Sequence, residues 1–91
     1  MSSLQESIES LAERFNLEAA QVSPIIKSRA NTTLDNSHGE NISFSFYSNG
    51  MFLVRGKSNG KHVKASYVFE DDGDFMSLDG FSASVSARHH C

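Results

Sequence analysis

Two Asn-Gly pairs, Asn49-Gly50 and Asn59-Gly60, divide the stretch from Ile42 to Phe69 into three runs in which apolar and polar residues alternate. Such a pair between alternating runs is the strongest short-range signal for a β-hairpin, because both residues tolerate the left-handed backbone that tight turns need. The two pairs together predict a three-stranded antiparallel meander. Every other segment has to be placed against it.

The pleat decides what kind of turn each pair makes, since a slip of one residue moves every side chain to the opposite face. A two-residue loop at Asn49-Gly50 would put Phe44 and Phe46 on one face with Leu53 and Arg55, and leave both faces half apolar. A three-residue loop, Ser48-Asn49-Gly50 with glycine in the left-handed position of a bulge, instead gathers Ile42, Phe44, Phe46, Phe52 and Val54 on one side. At Asn59-Gly60 the shorter loop is the one that fits. A three-residue loop would bring Lys64 opposite Val54, whereas a two-residue loop sets Ala65 opposite Val54 and Tyr67 opposite Phe52. Val63, Ala65, Tyr67 and Phe69 then complete an inner, buried face.

The outer face follows without further choice. It carries Tyr47, Met51, Leu53, Ser66 and Val68 toward one end and Arg55, Lys57, His62 and Lys64 toward the hairpin tip. Arg55 falls opposite Lys64 and Lys57 opposite His62, although like charges directly opposed weaken a strand pair. Solvated cations that guard an exposed hairpin from aggregation are one explanation; a binding patch is the other.

The length of 91 residues accommodates one domain near the lower limit for a self-sufficient core, which makes homo-oligomerisation a reasonable expectation. Hydrophobic content of 38%, with seven phenylalanines and no tryptophan, fits a globular chain, and no apolar run approaches membrane-spanning length. A net charge of −3 gives no general attraction to nucleic acid, yet Arg55 to Lys64 contains no acid. Any anion binding would be local. A single cysteine, Cys91, excludes an internal disulfide framework, and the N-terminus has neither the basic nor the apolar region of a secretion signal. A cytoplasmic location is expected, in which the sequons at Asn31 and Asn41 carry no meaning.

Upstream of the meander, Ser3 and Glu6 have capping-box spacing, and Leu4, Ile8, Leu11, Ala12 and Phe15 recur at helical intervals, which predicts an amphipathic helix over residues 4–15. Asn16 can stop it. Glu18 to Val22 and then Ser23-Pro24, a cap with proline at the first helical position, suggest two short helical pieces ending near Arg29. The domain therefore reads as helical over 1–30, a polar loop over 31–41, an antiparallel sheet over 42–86 and a tail over 87–91. Glu70-Asp71-Asp72-Gly73 reads as a four-residue turn. Asp79-Gly80 reads as a hairpin between a strand from Asp74 to Leu78 and one from Phe81 to Ser86, giving about five strands. The expected fold is α+β, with the helical segment packed on one face of the meander.

Leu11 to Lys27 resembles the helix-turn-helix pattern, with Ala12, Asn16, Val22 and Ile25 at its small, turn and buried positions. The resemblance covers about a fifth of the chain and implies DNA contact by the second helix, with Lys27 and Arg29 on the phosphates. That helix would open with Glu18 and contain Pro24, and plain packing of two helices is the alternative. The layout of a helix followed by twisted strands also loosely resembles small acidic secretion chaperones, with no motif on which to carry residues over.

For catalysis the chain offers neither a nucleophile beside a base nor a glycine-rich phosphate loop, so an enzyme is not expected. The carboxylates of Glu70 to Asp74 lack the ligand spacing of a calcium loop. His89-His90-Cys91 are adjacent, a poor arrangement for a tetrahedral ion. No cofactor or metal is expected. The expected function is a small non-enzymatic binding or adaptor protein, acting through Tyr47, Met51, Leu53, Arg55, Lys57, His62, Lys64 and Val68 on a protein partner that is acidic at the contact. Nucleic-acid binding through the basic hairpin or the helix pair, and an inhibitor encoded by a virus or mobile element, are the alternatives.

Overall fold

The computed structural model describes residues 3–78. Two helices, α1 (Ser3–Arg14) and α2 (Ala19–Ser28), precede a five-stranded antiparallel sheet in simple meander order: β1 (Thr32–Asp35), β2 (Asn41–Phe46), β3 (Met51–Ser58), β4 (Lys61–Phe69) and β5 (Phe75–Ser77). The fold is α+β, with the helices on one face of the sheet.

In α1, Ile8, Leu11, Ala12 and Phe15 are spaced so that one helical stripe is buried, with Leu4 half-buried at its start. The Ser3 side chain of the expected capping box lies outside the described residues. Asn16 adopts a left-handed conformation (φ 60°) and ends the helix. The Leu17 amide donates to the Ala12 carbonyl at 2.8 Å and the Asn16 amide to Glu13 at 3.3 Å. This is a Schellman closure, in which the residue after the left-handed one turns inward, and Leu17 is indeed buried.

Residues 19–28 form one helix rather than the two pieces expected, and its cap is Glu18, not Ser23. The Glu18 and Gln21 side chains make a reciprocal capping box, with the Glu18 amide donating to Gln21 Oε1 at 2.9 Å. Pro24 lies inside the helix. It and Ala20, whose carbonyl loses its usual donor, are both exposed, so water can serve that carbonyl, while Val22 and Ile26 one turn apart are buried in the core. Packing outweighs the local cost.

The β2–β3 register pairs Phe46 with Phe52 and Phe44 with Val54, closed by the three-residue loop Ser48-Asn49-Gly50. The β3–β4 register pairs Val54 with Ala65 and Phe52 with Tyr67, closed by the two-residue loop Asn59-Gly60 with φ of 57° and 81°. Both turns and both faces agree with the expectation. Phe52, 1% exposed, sits at the centre of an aromatic cluster: its ring centroid lies 5.0 Å from those of Phe46, Tyr67 and Phe69 and 5.2 Å from that of Phe75. Phe46 and Phe69 are half-buried at the cluster's rim, where the Arg29 guanidinium covers the Phe69 ring at 3.6 Å.

Two features of the sheet depart from the sequence reading. The segment expected as a loop over 31–41 contains β1, which pairs Thr32 with Phe44 and Leu34 with Ile42. The Glu70 turn has three loop residues, not four: the Glu70 amide donates to the Asp74 carbonyl at 2.8 Å, and Phe69 pairs with Phe75. That one-residue difference places Phe75 on the buried face and Met76 on the outer one. The strand expected over Phe81 to Ser86 and the tail from Ala87 lie outside the described residues, so the five strands include β1 in place of that one.

The loops Ser37-His38-Gly39, Ser48-Asn49-Gly50 and Asp71-Asp72-Gly73 share one geometry. In each, the residue before the loop donates to the carbonyl of the residue after it, and the left-handed glycine donates back across the turn. Gly56 is constrained differently. A Cβ on it would strike the Asn41 carbonyl and come within 2.7 Å of Ile42 Cδ1, so β2 and β3 approach as closely as they do only because this position has no side chain.

Candidate binding face and the network behind it

Both helices pack on the inner face, and the outer face is organised by register into rows that cross the sheet. Tyr47, Met51, Val68 and Met76 form one row: the Tyr47 amide donates to Met51 at 2.9 Å, and Met51 pairs with Val68 and Val68 with Met76. The next row contains Ser45, Leu53, Ser66 and Leu78. A third runs Thr33, Ser43, Arg55, Lys64, and beside it Asp35 pairs with Asn41 and Lys57 with His62.

All eight residues singled out from the sequence therefore lie on one face, with the apolar ones at one end and the cations at the other. Tyr47 is 55% and Met76 50% exposed, the two large apolar side chains most open to solvent among the described residues, while Met51, Leu53 and Val68 are half-buried. Met76 is an addition that the correct turn length at Glu70 supplies. Arg55, Lys57, His62 and Lys64 are exposed, and no hydrogen bond or ion pair engages their side chains among the described residues.

The hairpin tip is not remote from acid, contrary to what the composition of Arg55 to Lys64 suggests. Glu40, at the end of the β1–β2 turn, accepts from the Gly60 amide at 2.7 Å through Oε2 and from the Asn59 amide at 3.2 Å through Oε1. Asn36 Nδ2 donates to the same carboxylate at 3.0 Å. Donors on the charged form hold the Glu40 carboxyl below the usual carboxylate range, the Asn36 amide being the largest cause and the Gly60 amide the next, against a small opposing effect of desolvation. Asp35 takes its place on the outer face and accepts from Asn41 Nδ2 at 3.3 Å.

Asn36 is the hub of this end of the molecule and is 6% exposed. Besides Glu40, its Nδ2 donates to the Phe15 carbonyl at 2.9 Å and the Lys57 carbonyl at 3.3 Å, and its Oδ1 accepts from the His38 and Glu40 amides at 2.9 Å each. Ser58 Oγ donates to the Arg14 carbonyl at 3.0 Å and accepts from Asn16 Nδ2 at the same distance. The end of α1, the β1–β2 turn and the β3–β4 turn are thus locked together. The basic hairpin is carried on a fixed support.

The residues that carry the helix-turn-helix pattern lie in and around the packed helix pair. Ala12 and Val22 are buried in the core, Ile25 is half-buried, and Arg29 is held against Phe69. Among the described residues, no group of three His, Cys, Asp or Glu side chains could hold a metal ion, and no helix is long and apolar enough to cross a membrane. The His89-His90-Cys91 run lies outside those residues. Comparison with protein-family models, curated proteins and solved structures finds no match to this chain.

Proposed function

We propose that this chain is a small non-enzymatic binding protein that docks an acidic protein partner on the outer face of its sheet. One observation carries the reading: on the same strands, an apolar row ending in exposed Tyr47 and Met76 lies one row, that of Leu53, from a row in which Arg55 and Lys64 face each other without a counter-charge. Apolar surface beside clustered charge is the anatomy of an interface, and the unpaired cations select for an acidic surface and speed its approach. Among the described residues Tyr47 is the single aromatic on this face, whereas single-stranded nucleic acid normally stacks its bases on several. The protein reading is accordingly preferred to the nucleic-acid one.

Photocrosslinking from a benzophenone side chain at Met51, in cells of the source organism, tests it, with the adducts identified by mass spectrometry. The expected result is a discrete protein with an acidic surface. It should be lost in the Arg55→Glu/Lys64→Glu variant and retained when Glu9 on the exposed side of α1 is changed to Lys. Adducts only with a second copy of the chain, only with nucleic acid, or with nothing would refute the reading.

A further inference from the structure

The cationic row encloses a depression of about 600 Å³ on the outer face. Its floor is the β3–β4 backbone at Gly56 and Val63, and its walls are Thr33, Asn41, Ser43, Arg55, His62 and Lys64. Register brings these together from four adjacent strands, since Thr33, Ser43, Arg55 and Lys64 are successive cross-strand partners. Two hydroxyls and two cations stand in line across the sheet. None of the described acids lines the depression; Asp35, the acid nearest in register, lies in the adjoining row, where it accepts from Asn41.

We infer that this depression is a phosphoryl-binding site, and that the acidic partner presents a phosphorylated serine or threonine to it. The inference rests on the docking reading above and makes its chemistry specific. A phosphoryl group carries close to two negative charges and three strong acceptor oxygens, which matches two uncompensated cations flanked by hydroxyl donors. Arg55 can present two parallel donors to such a group, and Lys64 a point charge from the neighbouring strand. A carboxylate would leave one cation unmatched. The apolar rows begin one row away, at Leu53, so the charge is confined to one end of the face. Nucleic acid would instead spread its phosphates along the surface, where Met51, Leu53, Val68 and Met76 have no donor to offer them.

Amide chemical shifts of the isotopically labelled full chain, followed during titration with three peptides of one sequence, test the site. The peptides carry phosphoserine, glutamate or serine at the central position. Saturable shifts confined to Thr33, Ser43, Arg55, Gly56, His62 and Lys64 are expected with the phosphoserine peptide, with at least tenfold weaker binding of the glutamate peptide and none of the serine one. Arg55→Gln/Lys64→Gln, which removes charge without reversing it, should abolish the shifts while the remaining spectrum stays that of the folded protein. Equal binding of the phosphoserine and glutamate peptides would overturn the inference, as would shifts scattered over Lys27, Arg29 and Lys61, or tighter binding of an oligothymidylate of equal charge. Leu53→Asp separates the two proposals. It should abolish the Met51 crosslink but leave the phosphoserine shifts intact. If the crosslink depends on Leu53 while no peptide binds, the docking reading stands and the phosphoryl site falls.

Discussion

The two faces of the sheet are built from alternate residues of the same strands, yet they behave as different materials. On the inner face Phe44, Phe52, Val54, Ala65 and Tyr67 are sealed beneath α1 and α2. On the outer face Met51, Leu53 and Val68 are half-buried, Tyr47 and Met76 stand in solvent, and cations oppose cations. The inner face has its partner within the chain and optimises packing. The outer face gives up local stability at Arg55 and Lys64, which becomes intelligible if its partner comes from outside.

The comparison is broken most directly at neighbouring residues of β3. Phe52→Ala should cost about 3–5 kcal/mol, through lost transfer energy and the cavity left among four rings. Leu53→Ala, half-buried on the other face, should cost about 1 kcal/mol. Urea denaturation of the two variants measures both, and equal costs would mean that the outer face is as closely packed as the inner one. Phe46 is less suited to this purpose, because it lies half-buried at the cluster's rim.

A second contrast uses two asparagines. Asn36→Ala should cost about 1–3 kcal/mol, because the buried Phe15 carbonyl, the part-buried Lys57 carbonyl and two turn amides lose their partner. Asn41→Ala, on the exposed outer face, should stay within about 0.5 kcal/mol. Hydrogen exchange should show the loss of protection in the Asn36 variant at Asn59 and Gly60 as well as in its own turn.

Glu40 sharpens the comparison by pH. Its carboxyl is held low in the folded state, so its stabilising effect is complete above the ordinary carboxylate range and is lost as pH falls through the lowered folded-state value. Wild type should therefore be more stable than Glu40→Gln at about pH 7, and the difference should shrink on acidification to about pH 3. A difference that is constant across this range would remove Glu40 as the clamp on the hairpin tip.

The smallest effect is the most diagnostic for the outer face. Arg55→Glu turns a repulsive pair with Lys64 into an attractive one, and should raise stability by a few tenths to about 1 kcal/mol while weakening the partner complex. Adding Lys64→Glu should return stability toward wild type, since two glutamates repel much as two cations do. Thermal denaturation of the two variants checks both, and a destabilising Arg55→Glu would show that Arg55 already has a favourable neighbour.

Much of this architecture was legible in the residues because it is set locally. The period-two pleat and the backbone demands of Asn49-Gly50 and Asn59-Gly60 fix the register of β2, β3 and β4, and that register alone assigns Tyr47, Met51, Leu53, Arg55, Lys57, His62, Lys64 and Val68 to one face. The helical spacing of Ile8, Leu11 and Phe15 fixes α1. The features that were not legible depend on partners distant in the chain. Thr32 to Asp35 carries a single large apolar residue and turn formers beyond, and becomes a strand because β2 offers it an open edge. There Thr32 and Leu34 pair with Phe44 and Ile42, and Asn31 Oδ1 accepts from the Phe46 amide at 2.7 Å.

Pro24 is tolerated within α2 because the buried Val22 and Ile26 outweigh one lost hydrogen bond. The reason for a glycine at position 56 of β3, the approach of the Asn41 carbonyl and Ile42, belongs to the neighbouring strand. The carboxylate that clamps the hairpin tip likewise comes from Glu40, about 20 residues before the amides it holds, as the chain folds back. Turn chemistry and alternation act over a few residues and were settled by the sequence itself. Which carbonyl a buried Asn36 serves, which loop becomes an edge strand and where the acids stand relative to Arg55 and Lys64 were decided only when distant segments came together. Those are free energies of pairing and desolvation, and no local pattern encodes them.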